Sequence, residues 1–350
     1  MKPEKISLSS KDRLSLISNM STMFNAGIPI IEIVDSLLED SKGSRRKILE
    51  ALRDDLMQGK HLYVSFSRFP KVFDKVTINI IKASEEAGTF DVTLKDLRKQ
   101  IKEEIEFNDK IKSALTYPLI IAVVFFGVLL LILLVVVPKI STVFSRLRVD
   151  LPLPTKILIF ISNALLNYTI PTVLGIIALI FLLVFILKTK KELIQEIFFS
   201  LPLVKTLVKQ IDLTRFSRSM YLLLTSGITI TTALELTQDV VMNRDVSRAI
   251  AHARDVVLGG KRMSEGFKEK KNVLPALMIK IVEAGEKTGS LENSMQDISE
   301  YLDYEVSNTL RNLTALLEPL MLVVIGVLVG GMMLAIIAPI YGLIGNVGLR

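Results

Sequence analysis

The side chains best placed to do chemistry in this chain are carboxylates at turns and in apolar surroundings. Glu283 and Glu286 lie three residues apart before Gly289, and Glu85-Glu86 holds the matching place before Gly88. Carboxylates three apart share a helix face, where they could hold a hard cation or a partner's arginine. The alternative is a solvated helix end beside a glycine cap. Glu318 is the one charged residue in the run 313–340. A carboxylate in a bilayer is costly, so it pairs or lines a polar crevice, unless it lies at the edge and reaches the headgroups. In the same run, Gly326 and Gly330 have the small-xxx-small spacing that lets helices pack closely, within a subunit or between subunits. Lys205, Lys209, Arg215 and Arg218 form a basic series suited to anionic lipid, with an acidic protein face as the rival.

Enzyme chemistry is poorly supplied. The chain has no cysteine and two histidines, His61 and His252, neither with an acidic or thiol companion in the sequence nearby. A thiolate metal site is excluded, and a zinc or Ser-His site is not expected. Gly259-Gly260-Lys261-Arg262 superficially resembles a phosphate loop, but it lacks the first glycine at the required spacing and the following Ser/Thr. No catalytic residue, cofactor or metal is therefore expected, and any ATP hydrolysis belongs to another chain. The net charge of +7 is spread along the chain without a dense basic stripe. That reads as a bias toward membrane surfaces and not as nucleic-acid binding.

The elements that must position these residues occur twice. Residues 114–120, ALTYPLI, return at 315–321 as ALLEPLM, and 85–90, EEAGTF, return at 286–291 as EKTGSL. Gly27 and Gly88 have counterparts in Gly227 and Gly289, and Gly59, Lys60 and Phe66 in Gly260, Lys261 and Phe267. The offset stays at 200 or 201 residues. Duplication of a soluble domain together with its following membrane segment is the simplest cause.

Half of the 350 residues are apolar, and the mean hydropathy is +0.46, which suits a chain partly in lipid and partly in water. Three runs can span: 114–137 and 170–187, both without charge, and 313–340. The middle one is marginal and could borrow from 157–166. If the first and third runs are equivalents and both polar domains share a compartment, the middle run must be the return crossing. Arg98, Lys99, Lys102, Lys110 and Lys112 before the first run, and Lys188, Lys190 and Lys191 after the second, agree with a cytoplasmic side there. Lys139, Arg146, Arg148 and Lys156 on the opposite side make the charge argument less clean. The N-terminal residues lack the apolar core of a signal peptide, so the first domain is expected to stay in the cytoplasm.

Residues 10–112 read as short amphipathic helices. Leu14, Ile17, Met20, Met23 and Phe24 share one face; Gly27 can stop that helix and Pro29 can open the next. Further helices follow at 44–58 and 73–87, and a last one from Asp91 leads straight into the first apolar run. Roughly 212–312 repeats the order. No stretch alternates with a period of two. An all-α fold is expected, with Gly27, Gly88, Gly227 and Gly289 as structural repeat turns.

Four pieces carry a resemblance: LPLPTK at 151–156, LPLVKTLVKQIDLTRFSRSMYLLLTSGITI at 201–230, AGEKTGSLENSM at 284–295 and LEPLMLVVIGVLVGGMMLAIIAPIY at 317–341. In this order, and duplicated, they resemble the type II secretion F / type IV pilus PilC family of inner-membrane platform proteins along nearly the whole chain. The resemblance implies a cytoplasmic bundle of about six helices in each repeat, three transmembrane helices and self-association in the membrane. The expected layout is a first bundle at 1–112, spans at 113–137, 170–187 and 313–340, an external loop with an interfacial helix at 138–169, a second bundle at 188–312, and a short external tail at 341–350.

The resemblance further implies contact with a cytoplasmic hexameric ATPase, a pilin or pseudopilin, other inner-membrane assembly proteins and lipid. Glu85, Glu86, Glu283, Glu286, Glu318, Gly326 and Gly330 are the candidate contact residues. The implied work is assembly of a type IV pilus or secretion pseudopilus in the bacterial inner membrane; the alternative is a subunit of a transporter or channel. Two departures from the family stand out. The segment before the first bundle is shorter than in many members, and Ser84 stands where the second copy has Gly285.

Overall fold

The computed structural model describes residues 6–139, 141–142, 153–167 and 202–347. Among these residues there are helices and turns and no strand. A first series comprises α1 (Ser10–Asn25), α2 (Ile30–Glu39), α3 (Gly43–Met57), α4 (Leu62–Ser67), α5 (Lys75–Ala87) and α6 (Phe90–Leu131). A π-turn, Ile132–Val136, continues α6, and α7 (Leu153–Asn167) follows. A second series comprises α8 (Pro202–Thr225), α9 (Ile230–Gln238), α10 (Arg244–Leu258), α11 (Met263–Glu269), α12 (Ala276–Thr288) and α13 (Leu291–Val347). The expected run 170–187 lies outside the described residues.

Local chemistry sets the helix ends. Ser9 Oγ accepts from the Asp12 N–H at 3.1 Å, Asp74 Oδ1 from Thr77 at 2.7 Å, and Asn243 Oδ1 from Asp245 and Val246 at 2.9 and 3.2 Å. Pro29 sits at the N-cap of α2, as the sequence suggests. α5 and α12 stop at Gly88 and Gly289, both left-handed with φ 72° and ψ 20°. The residue after each glycine donates back, Thr89 to the Ser84 carbonyl and Ser290 to that of Gly285, both at 3.0 Å. Gly27 and Gly227 follow α1 and α8 with positive φ as well.

The chain divides into two compact units. One holds Met1–Lys110 with Thr206–Asn308; the other holds Ile111–Lys205 with Thr309–Arg350. In the first unit, both series contribute to one continuous apolar core. Phe66 and Phe73 stack at 4.1 Å in the first series, and Phe216 meets Phe267 edge-on at 6.1 Å in the second. All four rings are buried. Polar bonds also join the series: Lys75 to Asp239 at 2.6 Å and Lys110 to Asp303 at 2.8 Å.

α6 and α13 carry the chain from the first unit into the second without a break. They have 42 and 57 residues, about 63 and 86 Å at 1.5 Å per residue. Both contain stretches long and apolar enough to cross a membrane. None of the most apolar stretch of α13 is buried within the chain, unlike the core helix of a soluble protein. Pro118 is accommodated inside α6. In the second unit, Ile121, Phe125 and Leu129 of α6 and Ile325 and Val329 of α13 line one apolar groove of about 340 Å³. α7 packs on the π-turn, where the buried Ser162 Oγ donates to the Leu133 carbonyl at 2.6 Å. A π-turn frees backbone groups from the regular ladder, and a side-chain hydroxyl takes one of them here.

This partition predicts opposite outcomes for two truncations. Phe267→Ala should cost about 3–5 kcal/mol, read as a lowered unfolding temperature of the purified chain in detergent. Leu322→Ala, at an exposed position of the apolar stretch, should leave that transition unchanged.

Candidate functional site

The repeated carboxylates have specific jobs within the fold. Glu85 projects from α5 toward the start of α4 and accepts from the Leu62 and Tyr63 N–H groups at 2.7 and 3.0 Å. Glu286 does the same from α12, accepting from Met263 and Ser264 at 2.6 and 3.1 Å. The physical need is clear. α4 and α11 begin at His61 and Arg262, neither of which provides a side-chain cap. Their first N–H groups require acceptors, and each is satisfied from more than twenty residues away.

Glu283 serves other partners. It takes Lys268 at 2.7 Å and Lys287 at 2.9 Å, and these hydrogen bonds hold its carboxyl down to about 2. Glu283 and Glu286 therefore share a helix but bind different groups. Glu86 is exposed. Among the described residues, no group of three or more His, Asp or Glu side chains is placed to share a metal ion.

The turn after α12 is also a packing contact. A Cβ at Gly285 would lie 2.8 Å from the Ser294 Cβ and 3.2 Å from the Leu291 Cα. The first turn of α13 thus rests directly on the α12 backbone. At the first-series position, Ser84 is buried and turns its hydroxyl back to the Ile81 carbonyl at 2.8 Å.

Several buried polar groups have no local signature in the sequence. Asp55 is buried, which pushes its carboxyl up; bonds from Lys60 at 2.8 Å and Arg68 at 3.1 Å outweigh this and leave it below its usual range. Asp212 is fully buried and accepts from the Met242 and Asn243 N–H groups at 3.0 and 2.5 Å. Burial dominates there and raises its carboxyl, against those bonds and the nearby Arg215. Arg215 and Arg218 are not part of a lipid-facing surface as the basic series suggested. Arg218 lies 5.6 Å above the Phe107 ring and 3.9 Å from Glu103, and Arg215 reaches Asn108, all on α6. Partners distant in sequence draw both cations onto the other series.

In the apolar part of α13, Glu318 is exposed between exposed leucines, Leu316 and Leu320. Gly326, Gly330 and Gly331 have nothing within 4 Å of a built Cβ. Among the described residues, these glycines are not the seat of a close helix contact within the chain.

Two predictions follow from the carboxylates. Glu286→Ala leaves two N–H groups of α11 without acceptors and should cost about 1–3 kcal/mol, measured by denaturant unfolding. Glu283 has a folded-state pKa far below the ordinary 4.5. Its contribution is present above the unfolded value and fades as pH falls from 4.5 to about 2. Glu283→Gln should flatten the stability-versus-pH curve in that window; an unchanged slope would remove the ion pairs from the account.

The comparisons with known proteins agree with this architecture. The family model described as type II secretion system (T2SS), protein F matches twice, at residues 16–138 and 216–339. A type IV pilus assembly protein PilC of Myxococcus xanthus is 28% identical over 96% of this chain and 81% of its own length. A PilC of Thermus thermophilus is 29% identical over 97% of this chain and 84% of its own. A type II secretion system protein F of Pseudomonas aeruginosa is 26% identical over 97% and 85%. These are names of assembly and secretion proteins, and the apolar helices are those of a membrane protein. The chain belongs to the type II secretion system protein F family.

Proposed function

We propose that this protein is a polytopic inner-membrane platform for assembly of a type IV pilus or a type II secretion pseudopilus. In this role it couples a cytoplasmic ATPase to the movement of a pilin out of the membrane. The observation that carries the reading is the pair of continuous helices α6 and α13, each amphipathic where it packs on the shared core and apolar throughout beyond it. The names of the relatives supply the machine: pilus assembly and type II secretion.

The topology follows from the same observation. The N-terminal parts of α6 and α13 belong to one compact unit, so on this reading both helices enter the bilayer from the same side. The chain between them has to return, and 170–187 is the uncharged stretch available for a third span. On this reading the two repeated bundles and the N-terminus are cytoplasmic, and 138–169 is external. In this reading Glu318, Gly326 and Gly330 contact a neighbouring subunit of a homo-oligomer or the membrane helix of the pilin.

A continuous helix transmits displacement better than a flexible linker, and no Gly/Ser-rich hinge precedes the apolar stretch in either helix. ATPase-driven movement of the bundles would pass along α6 and α13 and guide the pilin helix. Inserting a flexible Gly-Ser stretch after Lys112 should abolish fibres, seen by electron microscopy and shearing assay, while membrane insertion and ATPase binding persist. Normal fibres from that variant would refute the coupling.

A further inference from the structure

The apolar groove between α6 and α13 lies wholly within the second unit. Phe125 and Leu129 form one wall, Ile325 and Val329 the other, and every residue that lines it is a hydrocarbon side chain. On the α6 side, Ile120, Val124 and Val128 leave 56, 60 and 51% of their surfaces exposed. In lipid, helices associate by close packing of their surfaces and not by release of water. A groove of this shape therefore favours another apolar helix.

The path of the chain points to which helix that is. α7 sits at the far end of α6, where Ser162 bonds to the Leu133 carbonyl and both Leu133 and Val137 are buried. Leu133 follows Leu129 by four residues and Phe125 by eight. It continues their stripe, so α7 stands at the end of the groove. α7 ends at Asn167 and α8 begins at Pro202; residues 168–201 lie outside the described residues. In the first unit, Arg215 of α8 reaches Asn108 of α6, and Arg218 meets Phe107 and Glu103. The two helices are antiparallel there, and the start of α8 points the way α6 leaves. α6 leaves that unit after Lys110, and α8 enters it at Thr206. The chain must therefore run back from the far end of the apolar stretch of α6 to its near end. Ile111 to Leu133 is about 33 Å along a helix, and the uncharged run 170–187 would cover about 27 Å.

We propose that residues 170–187 seat in this groove, antiparallel to α6, and close a three-helix membrane bundle within one chain. The segment is uncharged, matches the groove in length, and is held at its end by α7. A tethered segment has a high effective concentration, so it displaces a free helix of equal packing quality. The groove is then an internal contact. Gly326 and Gly330, one position past Ile325 and Val329 and outside the groove lining, remain for another chain. The inference rests on the reading of 170–187 as the returning span.

Paired cysteines in the full-length chain, which has none of its own, test it by oxidative disulfide formation in native membranes. Each position from 171 to 186 receives a cysteine in turn, combined with Val128→Cys or with Ile120→Cys. Links within one chain should recur every three or four positions. The best partner of Ile120→Cys should lie about eight residues nearer Leu187 than that of Val128→Cys. Phe126→Cys, 59% exposed and outside the groove lining, should form no such links. Thiol labelling of Tyr168→Cys and Lys190→Cys, in intact and permeabilised cells, reads the span separately. If these two label from opposite faces while Val128→Cys links only to a second copy, to another protein or to nothing, the groove has another occupant and the proposal fails with the topology intact. If both label from one face, the returning span fails and the proposal with it. The same best partner for Ile120→Cys and Val128→Cys, or equal links from Phe126→Cys, would also overturn it.

Discussion

One constraint governs this protein: where a chain passes from water into an apolar phase, every backbone N–H and C=O must already have a partner. An α-helix meets that demand within its own segment. α6 and α13 meet it by not ending; each begins in the shared core and continues into its apolar stretch. The apolar parts could be simple anchors if a loop joined them to the cores. Each helix instead passes from the core into its apolar stretch with no loop between them. Pro118 in α6, Pro319 in α13 and the π-turn after α6 are local irregularities. The π-turn is not left open, because Ser162 of α7 covers its carbonyl.

What the sequence made legible was local or periodic. Apolar residues at helical spacing fixed α1, and the glycines after helical runs marked turns whose left-handed geometry is present at Gly88 and Gly289. The internal echo drew attention to Glu85 and Glu286 as a matched pair, although not to what they do. A six-residue helix such as α4 has too few residues to display a period, and its cap lies in another helix. The acceptor for its first N–H groups is Glu85, 23 positions from Leu62. The same limit hid Asp212, and it made Arg215 and Arg218 read as lipid-facing, since nothing in their neighbourhood announces Asn108, Phe107 or Glu103.

The two series keep one scaffold but use different means at matching places. Where the first has Asp55 held by Lys60 and Arg68, the second has Val256 and a close backbone approach: a Cβ at Gly266 would lie 2.8 Å from the Ala253 Cα. Where the first has Ser84 folded onto its own helix, the second has Gly285 under Ser294. Ion pairing at a small buried site and close packing of small residues are alternative solutions to the same problem, and they leave different surfaces. This divergence frees Lys261 while Lys60 is bound. A duplicated core can therefore remain nearly constant while its two faces diverge.

The central claim is that both series fold into one unit on one side of the membrane. The chain has no native cysteine, so paired thiols report cleanly. Lys75→Cys with Asp239→Cys replaces an exposed contact of 2.6 Å between the series. A short bifunctional thiol reagent applied to membranes carrying this double variant should join the two positions within a single chain. Efficient labelling of each thiol without such a link, or labelling of the two from opposite faces of the membrane, would contradict it.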